Sequence, residues 1–337
     1  MKISRKLSAA ARLRELSAEE LVLGKRIFET NLRYKSGESI LIIADAGCVE
    51  TEAAIWFEAA KTLPHVGKIE LLVLEGMTRS GEEPPAEVIT ACESADISLL
   101  HTIFSLTHTA AGKAVMRSSN RGFSLPGVNL DLMRRTLNMD YEPVRDLGQK
   151  LKTALEQSPT LHITSPAGTE ISVGVRQDNV MVDVGFVEPG EIGNLPAGEV
   201  FFAPLDGTAN GTWVVDGSMA DFEKTGLDAP IKIDIKDGYA VAIAGGESAR
   251  QLDAMLAAVG PDAYHVAEIG IGINPNANPH GDLIEAEKAY ATAHLALGNS
   301  SAIGGSVNVP IHLDGVSVGV EIRGSKSAII SDSNFVV

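Results

Sequence analysis

The sequence predicts an α/β plus α+β protein, in which an N-terminal domain built on a parallel sheet, residues 1–157, precedes a β-rich, metal-binding domain, residues 158–337. Three observations predict it. Strand-like and helix-like runs alternate from residue 40 to about residue 123. The pattern turns to short β-type runs separated by Gly, Asp and Pro beyond Gln157-Ser158-Pro159. In that second half several Glu, Asp and His residues stand inside apolar segments, where an ionisable side chain needs a partner.

The first strand is the β-branched run over residues 40–44, behind the turn signal Ser36-Gly37. In residues 50–61, Ala53, Ile55, Trp56, Ala59 and Ala60 repeat at helical spacing, and residues 69–74 are strand-like again. Pro84-Pro85 opens the next helix, residues 97–100 give a third strand, and a helix near 109–116 leads into a strand over 122–125. Strands joined by helical crossovers form a parallel sheet covered on both faces. The first strand runs into Asp45-Ala46-Gly47-Cys48-Val49-Glu50-Thr51, which matches neither a dinucleotide fingerprint nor a P-loop. This half therefore reads as scaffold. Gly270-Ile271-Gly272 fails as a fingerprint too, because Ile273-Asn274-Pro275 follows where a helix should start.

Val144, Leu147, Leu151 and Leu155 share one helical face, and the helix must stop at Gln157-Ser158-Pro159, where the domain junction is placed. Short strands are expected over residues 161–164, 170–175, 213–216, 231–235 and 239–244, with helices over 248–258 and 283–297. No internal repeat is present.

The 337 residues carry 28 Lys+Arg against 44 Asp+Glu, a formal charge of −16, which repels nucleic-acid phosphates and anionic membrane surfaces. Nothing approaches the roughly 18 uncharged apolar residues that would span a bilayer. The basic N-terminus lacks the apolar core of a signal peptide, so a cytoplasmic protein is expected. Cys48 and Cys92 fit no metal-binding spacing and read as buried thiols in a reducing compartment.

His312-Leu313-Asp314 lies in an apolar segment, and on an extended chain residues i and i+2 face the same way, offering an imidazole and a carboxylate to one cation. A solvent-facing pair on an edge strand has the same pattern. His294 falls in the expected helix over 283–297, with Tyr290 and Glu287 one and two turns back on the same face as candidate catalytic groups, although Glu285, Glu287 and Lys288 also suit a solvated helical face. Glu268, in the strand-like Val266-Ala267-Glu268-Ile269-Gly270, would be costly to bury unpaired, and the scarcity of nearby basic residues favours a metal. Glu199 enters an apolar strand closed by Pro204 and poses the same question. The loop over residues 275–282 has a turn-forming composition and offers His280 to a substrate, or is plain surface.

The strings over residues 194–204 and 268–272, with His294-Leu295-Ala296-Leu297-Gly298 and His312-Leu313-Asp314, in this order, resemble the aminopeptidase T/aminopeptidase S family of metallo-aminopeptidases. The likeness covers most of the chain from about residue 160. It implies that Glu199, Glu268, His294, His312 and Asp314 ligate a co-catalytic pair of zinc, cobalt or manganese ions, that a metal-activated water hydrolyses an amide bond of a short peptide, and that the protein is a homodimer. Two positions depart from that family: Ala289 stands where it has a Glu, and Ser301 where it has a Tyr. The chain is also similar to iron-dependent 2,5-dihydroxypyridine dioxygenases, which share the terminal His-Leu-Asp string and carry a His where this chain has Glu268. That likeness implies the alternative, a single Fe(II) in a non-haem site that cleaves a small hydroxylated N-heterocycle with dioxygen.

Overall fold

A computed structural model describes residues 1–117, 120–222 and 225–337. The chain forms two compact units, Met1–Tyr141 with Gly185–Ala197, and Glu142–Val184 with Gly198–Val337. Hence the helix Glu142–Glu156, which the sequence groups with the first domain, belongs to the second unit, and a returning segment belongs to the first.

The first unit is a six-stranded sheet in the order β1 (Lys2–Ser8), β3 (Ile69–Glu75), β2 (Ile40–Asp45), β4 (Ile97–His101), β5 (Arg121–Ser124), β9 (Ile192–Asn194). All its pairs are parallel except β1 with β3. β2 and β4 are buried along their whole length, as strands covered on both faces must be. The helices Glu52–Ala60, Ala86–Ser94 and Ala110–Arg117 fall where helical spacing puts them. β1 has no apolar signature: it is a half-exposed edge whose Lys2, Arg5 and Lys6 deter further pairing. Cys92 is buried, whereas Cys48, expected to be buried, is only partly so.

The second unit holds two antiparallel sheets. One has eight strands, in the order β13 (Tyr239–Ala244), β12 (Ile231–Lys236), β11 (Asn210–Val215), β7 (Glu170–Gly174), β6 (Thr160–Thr164), β17 (Glu321–Gly324), β18 (Ala328–Ser331), β19 (Asn334–Phe335). The other has five, in the order β16 (His312–Ser317), β15 (Thr292–Gly298), β14 (Val266–Gly272), β10 (Glu199–Phe202), β8 (Met181–Asp183). The helix Glu142–Glu156 packs on β8 and β10, and its Gly148 lies so close to Val182 and Val184 that a Cβ there would stand 2.6 Å from Val184 Cγ1.

The five-stranded sheet corrects one expectation. Residues 283–297 do not form one helix: the helix ends after Leu283–Ala286, and Thr292–Gly298 is a strand at the second position of the sheet. All seven of its residues are buried, so it shows no alternation, and its Ala and Leu residues are good helix formers. Pairing on both sides overrides that propensity. The chain turns at Ala291, whose φ of 57° no helix accommodates.

Candidate metal centre

Strand register brings the predicted ionisable residues to one face of the five-stranded sheet. Glu199 pairs with Asp183 on one side and Gly272 on the other. Gly270 lies opposite His294, Ala296 separates Glu268 from Asp314, and Gly298 lies opposite His312. Directly opposed residues project to the same face. Small residues open that face: a Cβ at Gly270 would stand 2.1 Å from His294 Nε2, so only glycine lets the imidazole lie across β14.

His294 Nε2 is 3.3 Å from Glu268 Oε1 and 3.5 Å from Glu199 Oε2. His312 Nε2 is 3.5 Å from Glu268 Oε2 and 3.5 Å from Asp314 Oδ2. Glu268 thus joins two sets of donors, Glu199–Glu268–His294 and Glu268–His312–Asp314, each with its ligand atoms within 4.8 Å of one another. Glu199, Glu268, His294 and Asp314 are buried, and the His312 side chain is 34% exposed, which makes it the group of the five nearest to solvent. His312 Nδ1 donates to the Asn299 carbonyl at 2.7 Å, which orients the ring with Nε2 facing the carboxylates. Glu199 Oε2 is buried without a hydrogen bond. Aligned imidazole nitrogens, surplus carboxylate oxygens and an orphaned buried acceptor suit a divalent cation.

The electrostatics describe the same deficit of positive charge. Burial alone would lower the pKa of His294, but its hydrogen bond to Glu268 and the charges of Glu199 and Asp314 push it up to about 9. His312 is raised well above the usual imidazole value against the same burial effect, chiefly by Asp314. Burial would raise Asp314 and Glu268, yet His312 holds Asp314 down at about 2, and hydrogen bonds from both imidazoles hold Glu268 low. Burial pushes Glu199 up to about 8 against the pull of Lys288.

All five ligand candidates read from the sequence therefore meet. The two proposed catalytic companions do not share a helical face with His294, because that helix does not exist. Glu287 follows the short helix Leu283–Ala286 and pairs with Lys288. Tyr290 is 38% exposed and packs edge-on against Phe335, with ring centroids 5.1 Å apart. Ala289 is buried, Ser301 is exposed, and His280 lines a cleft with Ser218, Met219 and Phe222. The residue missed is Lys288. It is 1% exposed rather than solvated, and its Nζ lies 3.0 Å from Glu199 Oε1. The sequence offers only a weak signal of this, the run of small residues Ala286, Ala289 and Ala291 around it.

Fold and donor set together define a two-unit α/β protein whose β-rich unit carries a site able to hold a divalent metal. The chain belongs to the NicX family, 2,5-dihydroxypyridine 5,6-dioxygenase, whose model matches residues 27–314. It is 27% identical over 236 residues to the 2,5-dihydroxypyridine 5,6-dioxygenase of Pseudomonas putida, a match that spans 66% of each chain. The structure of 2,5-dihydroxypyridine dioxygenase from P. putida KT2440 has a TM-score of 0.79 to it at 21% identity, covering 96% of this chain and 98% of that one. Wild-type AmpT from Thermus thermophilus has a TM-score of 0.64 at 15% identity, covering 95% of this chain and 99% of that one. The aminopeptidase likeness therefore extends to the fold alone. The reading as an amide hydrolase, aminopeptidase or metalloprotease is corrected by the family match and the P. putida relative, both of which point to ring-cleaving dioxygenases. Among the described residues no helix is long and apolar enough to cross a membrane.

Proposed function

We propose that this protein is a non-haem, iron-dependent dioxygenase that opens the ring of a small dihydroxylated N-heterocycle of the 2,5-dihydroxypyridine type. His312 and Asp314, with His294 and Glu268, would hold one Fe(II). The observation that carries this reading is the convergence of both Nε2 atoms on Glu268, with the His312 ring oriented by the Asn299 carbonyl. Family membership supplies the reaction class. The overall change breaks one ring C–C bond and gives each of its carbons one atom of dioxygen.

Bound Fe(II) supplies the one-electron chemistry that allows dioxygen to react with an aromatic ring. The protein supplies the rest. Asp314 and Glu268 are held as carboxylates, and a bound cation would displace the protons of both imidazoles to solvent, so loading would release protons. The partial exposure of His312 makes its side the solvent side of the centre. Glu268 in place of the family's His adds a negative charge next to both imidazoles. That charge strengthens the hold on a hard divalent cation.

The test is anaerobic loading with Fe(II), followed by oxygen uptake and ultraviolet absorbance with 2,5-dihydroxypyridine. Oxygen consumed in equal amount to substrate lost supports the reading. A chain that holds one iron and consumes no oxygen with any dihydroxylated pyridine sinks it.

A further inference from the structure

The five donors could serve two cations, because the sets Glu199–Glu268–His294 and Glu268–His312–Asp314 share only Glu268. Against the first set stands a protein cation. Lys288 Nζ lies 3.0 Å from Glu199 Oε1 and also contacts Glu287. Asp183, opposite Glu199 in the strand register, acts on the same ammonium.

The placement is built in. The backbone at Lys288 and Ala289 crosses directly over Gly272, where a Cβ would stand 2.1 Å from the Ala289 carbonyl oxygen. Asn274 donates its N–H to the Lys288 carbonyl at 2.8 Å and accepts from Tyr290 N–H at 3.0 Å, which pins the segment on both sides of Ala289. A lysine with 1% exposure has no route to solvent for its head group, so the ammonium stays where the carboxylates are.

We propose that the Lys288 ammonium takes the place of a second metal ion, so that this centre binds one divalent cation instead of two. The inference rests on the single-metal reading above and explains it in terms of this chain's own residues. A dication that took Glu199 as a ligand would meet a fixed positive charge on the same carboxylate. Glu199 is neutralised from within, and Glu268, His294, His312 and Asp314 are left for the metal. Lys288 is a positioning residue: it commits Glu199 and thereby sets stoichiometry.

The test is metal counting with Mn(II) as the probe. The purified chain is loaded, desalted and analysed for manganese per chain, with electron paramagnetic resonance on the same samples. The wild type should hold one equivalent and give the spectrum of an isolated Mn(II). Lys288→Ala removes the ammonium from Glu199 and Glu287, and should hold two equivalents with a spectrum altered by coupling. Lys288→Arg keeps the charge and should stay at one. Should Lys288→Ala not fold, Lys288→Met keeps the stem, removes the charge and should also rise to two. A folded neutral variant that still holds one equivalent overturns the proposal, as does a wild type that holds two. Oxygen uptake by the iron-loaded wild type, run in parallel, separates this from the functional reading. One metal without uptake defeats ring cleavage and leaves the Lys288 assignment standing; two metals defeat the assignment whatever the substrate.

Discussion

The two units bury ionisable side chains under different rules. In the first, Arg121 is 3% exposed and its guanidinium donates to both carboxylate oxygens of Glu38, at 2.9 and 2.8 Å, and to the carbonyls of Leu32 and Arg33. His101, fully enclosed, accepts from Trp56 Nε1 at 2.9 Å and donates to the Val128 carbonyl at 2.8 Å, and burial lowers its pKa. Each of these buried groups meets its partner within the chain. In the second unit the buried imidazole of His294 has no hydrogen bond at Nδ1, Glu199 Oε2 has none either, and the imidazole pKa rises. A buried charge that meets its partners within the chain is compensated by the fold itself and costly to strand; a cluster with unmet donors and acceptors suits a cation from outside.

The largest effect that would break this contrast is at the cluster. Asp314→Asn removes a ligand charge without changing shape, and activity of the iron-loaded protein should fall by about 10³-fold or more, roughly 4 kcal/mol of transition-state stabilisation. Metal content after desalting should fall with it. Retained metal and retained turnover in this variant would place the centre elsewhere. The mirror experiment is Arg121→Ala, which strands Glu38 and the carbonyls of Leu32 and Arg33. It should cost about 3–5 kcal/mol in urea unfolding, with metal stoichiometry unchanged. A loss of metal without a loss of stability would reverse the roles given to the two units.

A smaller effect sharpens the contrast at the sheet itself. Gly270→Ala puts a methyl group 2.1 Å from His294 Nε2, and the imidazole must swing off the shared carboxylates. Metal affinity should drop by roughly 10–100-fold, the range found when groups orienting a ligand are lost. Isothermal titration with Mn(II) reads it directly, and an unchanged affinity would mean that His294 is no ligand.

Much of this is legible in the amino-acid sequence alone. The crossover pattern of the first unit follows from spacing, because strands buried on both faces and amphipathic helices have different periods. Glu199, Glu268 and the His312/Asp314 pair stand out because a carboxylate or imidazole inside an apolar run has to be compensated. What stays hidden depends on pairing. β15 reads as helix because a central strand buried on both faces loses its alternation, and with the strand goes the faulty placement of Tyr290 and Glu287. Lys288 reads as solvated because its partners, Glu199 and Asp183, are about ninety residues or more away in sequence and meet it only through the sheet. β1 reads as nothing, since an edge strand is held by backbone hydrogen bonds and carries charge that blocks further pairing.

The smallest effect tests whether first-unit charges act through the fold alone. Glu20 sits in the first turn of the helix Ala18–Arg26, accepts from Arg14 Nη1 and Nη2 at 2.9 Å each, and closes a capping box with Ser17. The Arg14 hydrogen bonds, against burial, hold its carboxyl at about 2, below the ordinary 4.5. A depressed folded pKa means that the unfolded chain takes up the proton first. The contribution is therefore complete above pH 4.5 and disappears as pH falls toward 2. Glu20→Gln mimics the protonated form, so it should cost about 1–2 kcal/mol at pH 7 and progressively less below pH 4.5, with no change in metal content. Urea midpoints for both proteins across that range measure the narrowing gap. A gap that stays constant with pH would assign the contribution to packing and capping rather than to charge, and the rule that first-unit charges are matched pairs would lose this example.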